Sequence, residues 1–219
     1  MDARTRYDDK LAHILHRSAE VFAGKGFHQA SMRDVSAATG VSLSGLYYYF
    51  RSKEELLLLI QTHAFETLLA RLEEDLEAPL PPRDRLARVV SNHVRFFVDN
   101  MAQMKVLSHE ADALPAASSA PVRALKRRYV ALVGECLQAL APERGPEAIR
   151  LATFALFGQL NWIYTWYRPD RDPDGATLAE QLLTLFLQGF LGPDEVPTPE
   201  RGGVSSAAFF HADARHQQD

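Results

Sequence analysis

Apolar residues recur at intervals of three and four along nearly the whole chain, and no window alternates apolar and polar positions long enough to build a strand. The pattern predicts an all-α protein. Leu11, Ile14, Leu15, Ala19, Val21 and Phe22 form a first stripe, marking a helix over about residues 8 to 24 that Gly24 and Gly26 end. Ser31, with Asp34 three residues on, approximates a capping box before a short helix from Met32 to Ala38. Thr39-Gly40 breaks that helix and Ser42 caps the next, Leu43 to Phe50, so residues 31–50 spell helix, tight turn, helix. Ser52 opens a long helix through Lys53 to about Glu77, with Leu56, Leu57, Ile60, Ala64, Phe65, Leu68, Leu69 and Leu72 on its apolar positions, until Pro79-Leu80-Pro81-Pro82 stops it. Further helices are predicted at about 83–100, 102–113, 119–141, 145–167 and 175–191. The division expected is a helix-turn-helix unit over 1–53, a second helical unit over 54–192, and a polar, mobile tail over 193–219.

With 219 residues, 47% of them hydrophobic, the chain has material for a sizeable core, and charge then divides it. Residues 1–53 carry eight basic and five acidic side chains while the remainder carries 16 and 23, so the net charge of -4 conceals a basic first quarter. A uniformly basic nucleic-acid coat is excluded, and any polyanion is directed to the N-terminal end. Cys136, the only cysteine, rules out an internal disulfide or a multi-cysteine zinc site and fits a reducing compartment, where it serves as a small buried hydrophobe. The opening MDARTRYDDK is polar where a secretory signal is apolar, and no run approaches the ~18 apolar residues of a membrane span. A soluble cytoplasmic protein without a membrane partner is expected. His109-Glu110-Ala111-Asp112 lacks the i, i+4 spacing that aims two donors at one ion, His93 stands alone on its helix, and His13 and His16 lie on the first helix. With no phosphate loop, nucleophile elbow or paired carboxylates either, neither a metal, a cofactor nor an enzymatic activity is expected.

The segment 31–50 carries the chemistry. The second helix of a helix-turn-helix fits the ~12 Å major groove while helix ends around it grip phosphates. Leu46 and Phe50, four apart, face inward, which turns most of Tyr47-Tyr48-Tyr49 outward. An exposed tyrosine offers a hydroxyl to phosphate and a ring face to a thymine methyl, and the small Ser44 and Gly45 allow close approach.

This stretch, AEVFAGKGFHQASMRDVSAATGVSLSGLYYYFRSKEELL over residues 19–57, resembles the DNA-binding domain of the TetR/AcrR family of transcriptional regulators. The shared features are Phe27 after the glycine pair, Ser31 capping the first motif helix, Val35 within it, Gly40-Val41 at the turn, Leu46-Tyr47 in the recognition helix, and Phe50, Lys53 and Leu56 at its exit. Tyr49 departs from the pattern, standing where many members have His. The resemblance implies phosphate contacts from Ser31 and Arg33, an approach to bases by Ser42, Leu43, Ser44, Gly45 and Tyr47, and further backbone contacts from Tyr48, Tyr49 and Lys53. It also implies a C-terminal half that dimerises through its last helices and encloses an effector. The excess of apolar circumference at Leu178, Leu182, Leu183, Leu185, Phe186, Leu187, Phe190 and Leu191 agrees, and it places Phe157, Leu183, Phe186 and Phe190 in the seam.

Trp162, Tyr164, Trp166 and Tyr167 follow Phe154 and Phe157 within one short span, beside Asn161 and Arg168, a composition suited to a pocket or a seam. The span 160–169 is similar to one in family members that respond to acyl-CoA and related thioesters. Such a ligand needs cations for its phosphates, and Arg123, Lys126, Arg127 and Arg128 form the densest basic run of the acidic half. The effector site expected is therefore Arg123, Arg127, Trp162, Trp166 and Arg168. The reading that results is a homodimeric repressor on a palindromic double-stranded operator, released by a small molecule of the CoA-thioester class. The alternatives are a regulator sensing a hydrophobic or aromatic compound, and a small-molecule binding protein that keeps the helix-turn-helix as structure alone.

Overall fold

The computed structural model describes residues 3–110, 113–114 and 118–190; the predicted tail 193–219, Leu191, and Ala111 and Asp112 of the predicted helix 102–113 lie outside them. The described residues form helices α1 (Ala3–Lys25), α2 (Met32–Thr39), α3 (Leu43–Tyr49), α4 (Lys53–Asp75), α5 (Pro82–Asp99), α6 (Met101–His109), α7 (Ala120–Leu140), α8 (Pro146–Asn161), α9 (Ile163–Trp166) and α10 (Gly175–Phe190). The fold is all-α, with an N-terminal helix-turn-helix bundle and a C-terminal helical domain.

Local chemistry sets the boundaries. Gly26, at φ 81°, ends α1 in a conformation that suits glycine. Ser52 caps α4 by accepting the Glu55 N–H at 3.1 Å, with Glu54 and Glu55 against the positive end of the helix dipole. Pro82 and Pro146 occupy first-turn positions of α5 and α8, where a missing N–H costs nothing.

Two predicted spans change. The first helix begins at Ala3, and its added turn brings Tyr7 onto the stripe four residues before Leu11. The single helix expected over 145–167 is two, because Trp162 turns outward while Ile163 and Tyr167 are drawn into the core. The Thr165 hydroxyl donates to the Trp162 carbonyl at 2.7 Å, and the Tyr167 hydroxyl donates to the Pro173 carbonyl at 3.1 Å.

Packing produces two cores. The first joins Ile14, Leu15, Ala19 and Phe22 of α1 to Phe27, Val35, Leu46 and Phe50, and continues into Leu56, Leu57 and Ile60 of α4 and Val106 of α6. The second gathers the rest of α4 with α5, α7, α8 and α10, and takes in Met104 and Leu107 of α6. Helices α4 and α6 thus contribute to both, and α6 packs closely on α1.

Candidate DNA-binding surface and effector cavity

The turn between α2 and α3 is held by its own polar side chains. Ser31 and Asp34 form a complete capping box: the Asp34 N–H donates to Ser31 Oγ at 3.3 Å and Asp34 Oδ2 accepts the Ser31 N–H at 2.9 Å. Gly40, at φ 68°, closes α2 by donating its N–H to the Ser36 carbonyl at 3.0 Å, and Ser36 Oγ donates to the Val41 carbonyl at 2.7 Å. Ser42 caps α3 by accepting the Gly45 N–H at 3.1 Å. Leu46 and Phe50 are buried. Leu43, Ser44, Tyr47 and Tyr48 project outward, with Tyr47 50% and Tyr48 74% exposed, so α3 presents aromatic and hydroxyl groups on a surface of the size a major groove admits. Tyr49 is half-buried, and Tyr7 stacks on it at 5.1 Å between ring centroids, which ties the N-terminal end of α1 to the end of α3. Arg33 is exposed at the start of α2.

Three expected DNA contacts have prior commitments. Lys53 is assigned to phosphate by the resemblance, yet its ammonium donates to the carbonyls of Phe27 at 2.8 Å, Ala30 at 3.0 Å and His28 at 3.3 Å, and lies 4.5 Å from the Phe27 ring centroid. An ammonium has three N–H donors, so none remains for a phosphate oxygen, and Lys53 instead ties the 27–30 loop to the start of α4. Ser31 Oγ donates its single proton to Asp34 Oδ2 at 2.7 Å, which leaves only lone pairs facing a phosphate that can itself only accept. Gly45 is required inside the protein: a Cβ there would sit 2.9 Å from Val41 Cγ1 and 3.2 Å from Ser42 Oγ, so its smallness serves the turn. Lys25, reaching Asp34 at 2.5 Å, and then the Ser31 N–H and hydroxyl hold the Asp34 carboxyl well below the usual carboxylate range. His13 contacts the Thr39 carbonyl at 3.3 Å and Arg17 donates to that of Ala38, fixing α1 against the end of α2.

In the C-terminal domain, α4, α5, α6, α7 and α8 surround a cavity of about 240 Å³. Phe65, Leu68, Met104, Leu107, Val130 and Phe157 make its apolar wall, and Ser108, Lys126, Phe154 and Asn161 stand toward solvent. Lys126 Nζ lies 5.5 Å from the centroid of the Phe65 ring. Two polar groups belong to the interior. His93 and Tyr129 are buried, with His93 Nδ1 and the Tyr129 hydroxyl 3.0 Å apart, and Phe97 stacks on the imidazole at 4.4 Å. Burial lowers the His93 pKa to about 3, partly opposed by the Asn161 side chain, and burial likewise pushes the Tyr129 phenol up, so both groups are neutral.

None of the five expected effector residues lines this cavity. Trp162 is 62% exposed, five residues and so about 140° around the helix from Phe157. Trp166 and the guanidinium-bearing Arg123 and Arg127 are also on the outside, Arg123 donating to Ser119, while Arg168 turns back to the Tyr167 carbonyl at 2.9 Å. From the basic run it is Lys126 that reaches the cavity. Phe157, expected in a dimer seam, is 8% exposed and faces the cavity, and Leu183, Phe186 and Phe190 are half-buried against their own core. The outward face of α8 carries Leu151, Phe154, Ala155 and Gly158, continued by Trp162 at its C-cap, and Leu185 of α10 is likewise exposed. The α8 residues of this face and Trp162 recur at intervals of three and four in the sequence.

Polar contacts join the two units, among them Gln103 Nε2 of α6 and His16 Nδ1 of α1 at 2.8 Å. Glu110, following α6, accepts the Phe27 N–H at 3.0 Å through its carboxylate, and its own carbonyl accepts from Gln61 of α4 at 3.1 Å. Among the described residues, no group of three or more His, Cys, Asp or Glu is placed to hold a metal ion, and no helix is long and apolar enough to cross a membrane.

Residues 14–60 match the family described as bacterial regulatory proteins, tetR family, and residues 79–190 match the tetracyclin repressor-like C-terminal domain. A TetR-family transcriptional regulator from Bordetella parapertussis superimposes with a TM-score of 0.77 at 30% identity, covering 85% of this chain and 98% of that one. The fatty acid metabolism regulator protein of Bacillus subtilis is 25% identical over 187 residues, 82% of this chain and 95% of its own length. The structure of Bacillus subtilis FadR in complex with stearoyl-CoA shares the fold at 23% identity and a TM-score of 0.67, over 81% of this chain and 98% of that one. The chain belongs to the TetR family and is a DNA-binding, ligand-responsive transcriptional regulator rather than an enzyme.

Proposed function

We propose that the protein is a homodimeric repressor that leaves a palindromic operator when a CoA thioester places its acyl group in the α4–α8 cavity. The observation that carries the reading is the cavity itself: an apolar chamber of about 240 Å³, with one ammonium, Lys126, beside its aromatic wall. Apolar burial supplies affinity for an acyl chain, and a cation on the solvent side suits the anionic remainder of a CoA ester. The Bacillus subtilis protein of this fold that binds stearoyl-CoA supports the same ligand class. The outward apolar stripe on α8 with Leu185 is the face proposed for the second copy, since it is the part of the last helices left uncovered. In such a dimer, two α3 helices meet successive major grooves on one face of the duplex.

The experiment is DNA release by matched octanoyl-CoA, octanoic acid and free CoA, read as fluorescence anisotropy of the duplex from the chain's own upstream region. Octanoyl-CoA should release the duplex at concentrations where the other two do not, and Lys126→Ala should weaken that response about tenfold, the loss of one charge-assisted contact. Equal release by the free acid would assign the cavity to a general hydrophobic ligand instead.

A further inference from the structure

The polar pair inside the cavity has more hydrogen-bonding capacity than the protein uses. His93 is buried and lines the cavity, and its Nε2 has no hydrogen bond of ordinary geometry among the described residues; the Asn161 side chain, also on the cavity wall, is the neighbouring polar group that opposes the burial shift of the imidazole. Nδ1 is engaged by the Tyr129 hydroxyl at 3.0 Å. A neutral imidazole has one N–H and one lone pair, and a phenol has one O–H and lone pairs on oxygen. If Tyr129 donates to Nδ1, then Nε2 carries the proton and donates. If Nδ1 donates to Tyr129, the phenol proton is left to donate and Nε2 becomes an acceptor. The pair therefore offers the cavity one donor and one acceptor in either tautomer. Apart from Asn161, the walls beside it are Phe97, Phe157, Leu107 and Met104, which carry no hydrogen-bonding side-chain group.

We propose that the effector carries a carbonyl or hydroxyl oxygen on the part of the molecule that fills the cavity, and that the His93–Tyr129 pair selects for it over a plain hydrocarbon body of the same size. A carbonyl oxygen takes the donor in both tautomers, and a hydroxyl uses donor and acceptor together. A saturated chain would bury the same surface and leave His93 Nε2 or the phenol proton unanswered, a penalty of about tenfold in affinity. This rests on the cavity being the effector site. The oxygen has two sources on a CoA ester, the thioester carbonyl or a substituent on the chain.

Direct binding by calorimetry to the full-length protein separates these cases. The probes are octanoyl-CoA, the S-octyl-CoA thioether that lacks the carbonyl, and 3-hydroxyoctanoyl-CoA. A wild-type preference of about tenfold for octanoyl-CoA over the thioether identifies the thioester carbonyl. A similar preference for the 3-hydroxy ester over octanoyl-CoA identifies a chain oxygen. Either preference should shrink to less than twofold in the double variant His93→Phe with Tyr129→Phe, which removes both polar partners together and keeps the rings. Tyr129→Phe alone, the milder change, should show a partial loss and serves if the double variant does not fold. Binding of all three probes within twofold of one another by the wild type, or a preference that survives in the variants, overturns the selection while leaving the cavity as the effector site. Binding of none of them overturns the CoA reading itself.

Discussion

Replacing Lys53 by Met keeps the aliphatic stem and removes the ammonium, which separates the two roles this residue can have. The structure gives Lys53 Nζ two short hydrogen bonds, to Phe27 O at 2.8 Å and Ala30 O at 3.0 Å, a longer one to His28 O at 3.3 Å, and the Phe27 ring at 4.5 Å. Charge-assisted hydrogen bonds contribute roughly 1.5–3 kcal/mol each, and a cation over an aromatic ring about 0.5–1 kcal/mol at a partly exposed site. The carbonyls are near the surface and recover much of this from water once the ammonium is gone, so a net loss of about 2 kcal/mol is expected. For a chain of this length that lowers the melting temperature by about 4–8 °C. Operator affinity measured against salt should keep its slope, because no phosphate contact is lost. Were Lys53 a phosphate ligand, each contact removed would flatten the logarithmic slope by about 0.9. A Lys53→Met protein that melts with the wild type and shows the flatter slope would refute the structural role.

Gly45→Ala should cost about 1–3 kcal/mol in a thermal melt, since the new Cβ meets Val41 Cγ1 at 2.9 Å, whereas Ser44→Ala on the exposed side should leave the melt unchanged and alter only operator binding. Asp34 has a depressed folded pKa, so the stability it contributes is present above the unfolded value of about 3.9 and is lost as pH falls below it; urea melts between pH 5 and pH 2 should show this loss in the wild type and a smaller one in Asp34→Asn. Leu185→Glu, at a position 63% exposed within one chain, should yield folded monomers in light scattering, and a stable dimer would remove that face from the seam. Glu110→Ala deletes the acceptor of the Phe27 N–H, so effector binding by calorimetry should persist while the ratio of operator affinities with and without octanoyl-CoA falls severalfold.

The helix-turn-helix was legible because its determinants are local. Ser31, Gly40, Ser42 and Ser52 act on backbone groups within a few residues, and the buried pair Leu46 and Phe50 follows from helical spacing alone. What Lys53 does was not legible, since its acceptors lie 23 to 26 residues away and only folding brings them to the ammonium. The cavity was obscured for the same reason in stronger form: Phe65, His93, Met104, Tyr129 and Phe157 come from five helices, and no short window contains two of them. The tryptophans are large aromatics in one span, but a cluster in sequence on a helix spreads around its axis, and Trp162 faces away from Phe157. A signal for His93 did exist, as a histidine at an apolar position of the amphipathic α5 between Val90, Val94 and Phe97, where burial demands a partner.

Helix α6 is where the two halves of the proposed mechanism share atoms. Met104 and Leu107 line the cavity, while Val106, between them in sequence, belongs to the core of the DNA-binding unit, and Glu110 just beyond holds the Phe27 N–H. The loop that Glu110 holds through the Phe27 N–H is the one Lys53 holds through the Phe27 carbonyl, and it leads directly into the cap of α2 at Ser31. An effector that displaces Met104 or Leu107 moves a helix too short to absorb the change by bending, since nine residues span only about 14 Å. The displacement is then divided among repacking Val106, the Gln103–His16 hydrogen bond and the Glu110 contact, all on the DNA-binding side. Affinity for operator falls only by the difference in free energy between these contacts with the cavity empty and filled. One hydrogen bond and one buried valine are of the size that a coupling of roughly 1–3 kcal/mol requires, so α6, whose Met104 and Leu107 belong to the second core and whose Val106 belongs to the first, suffices to link the cavity to the turn.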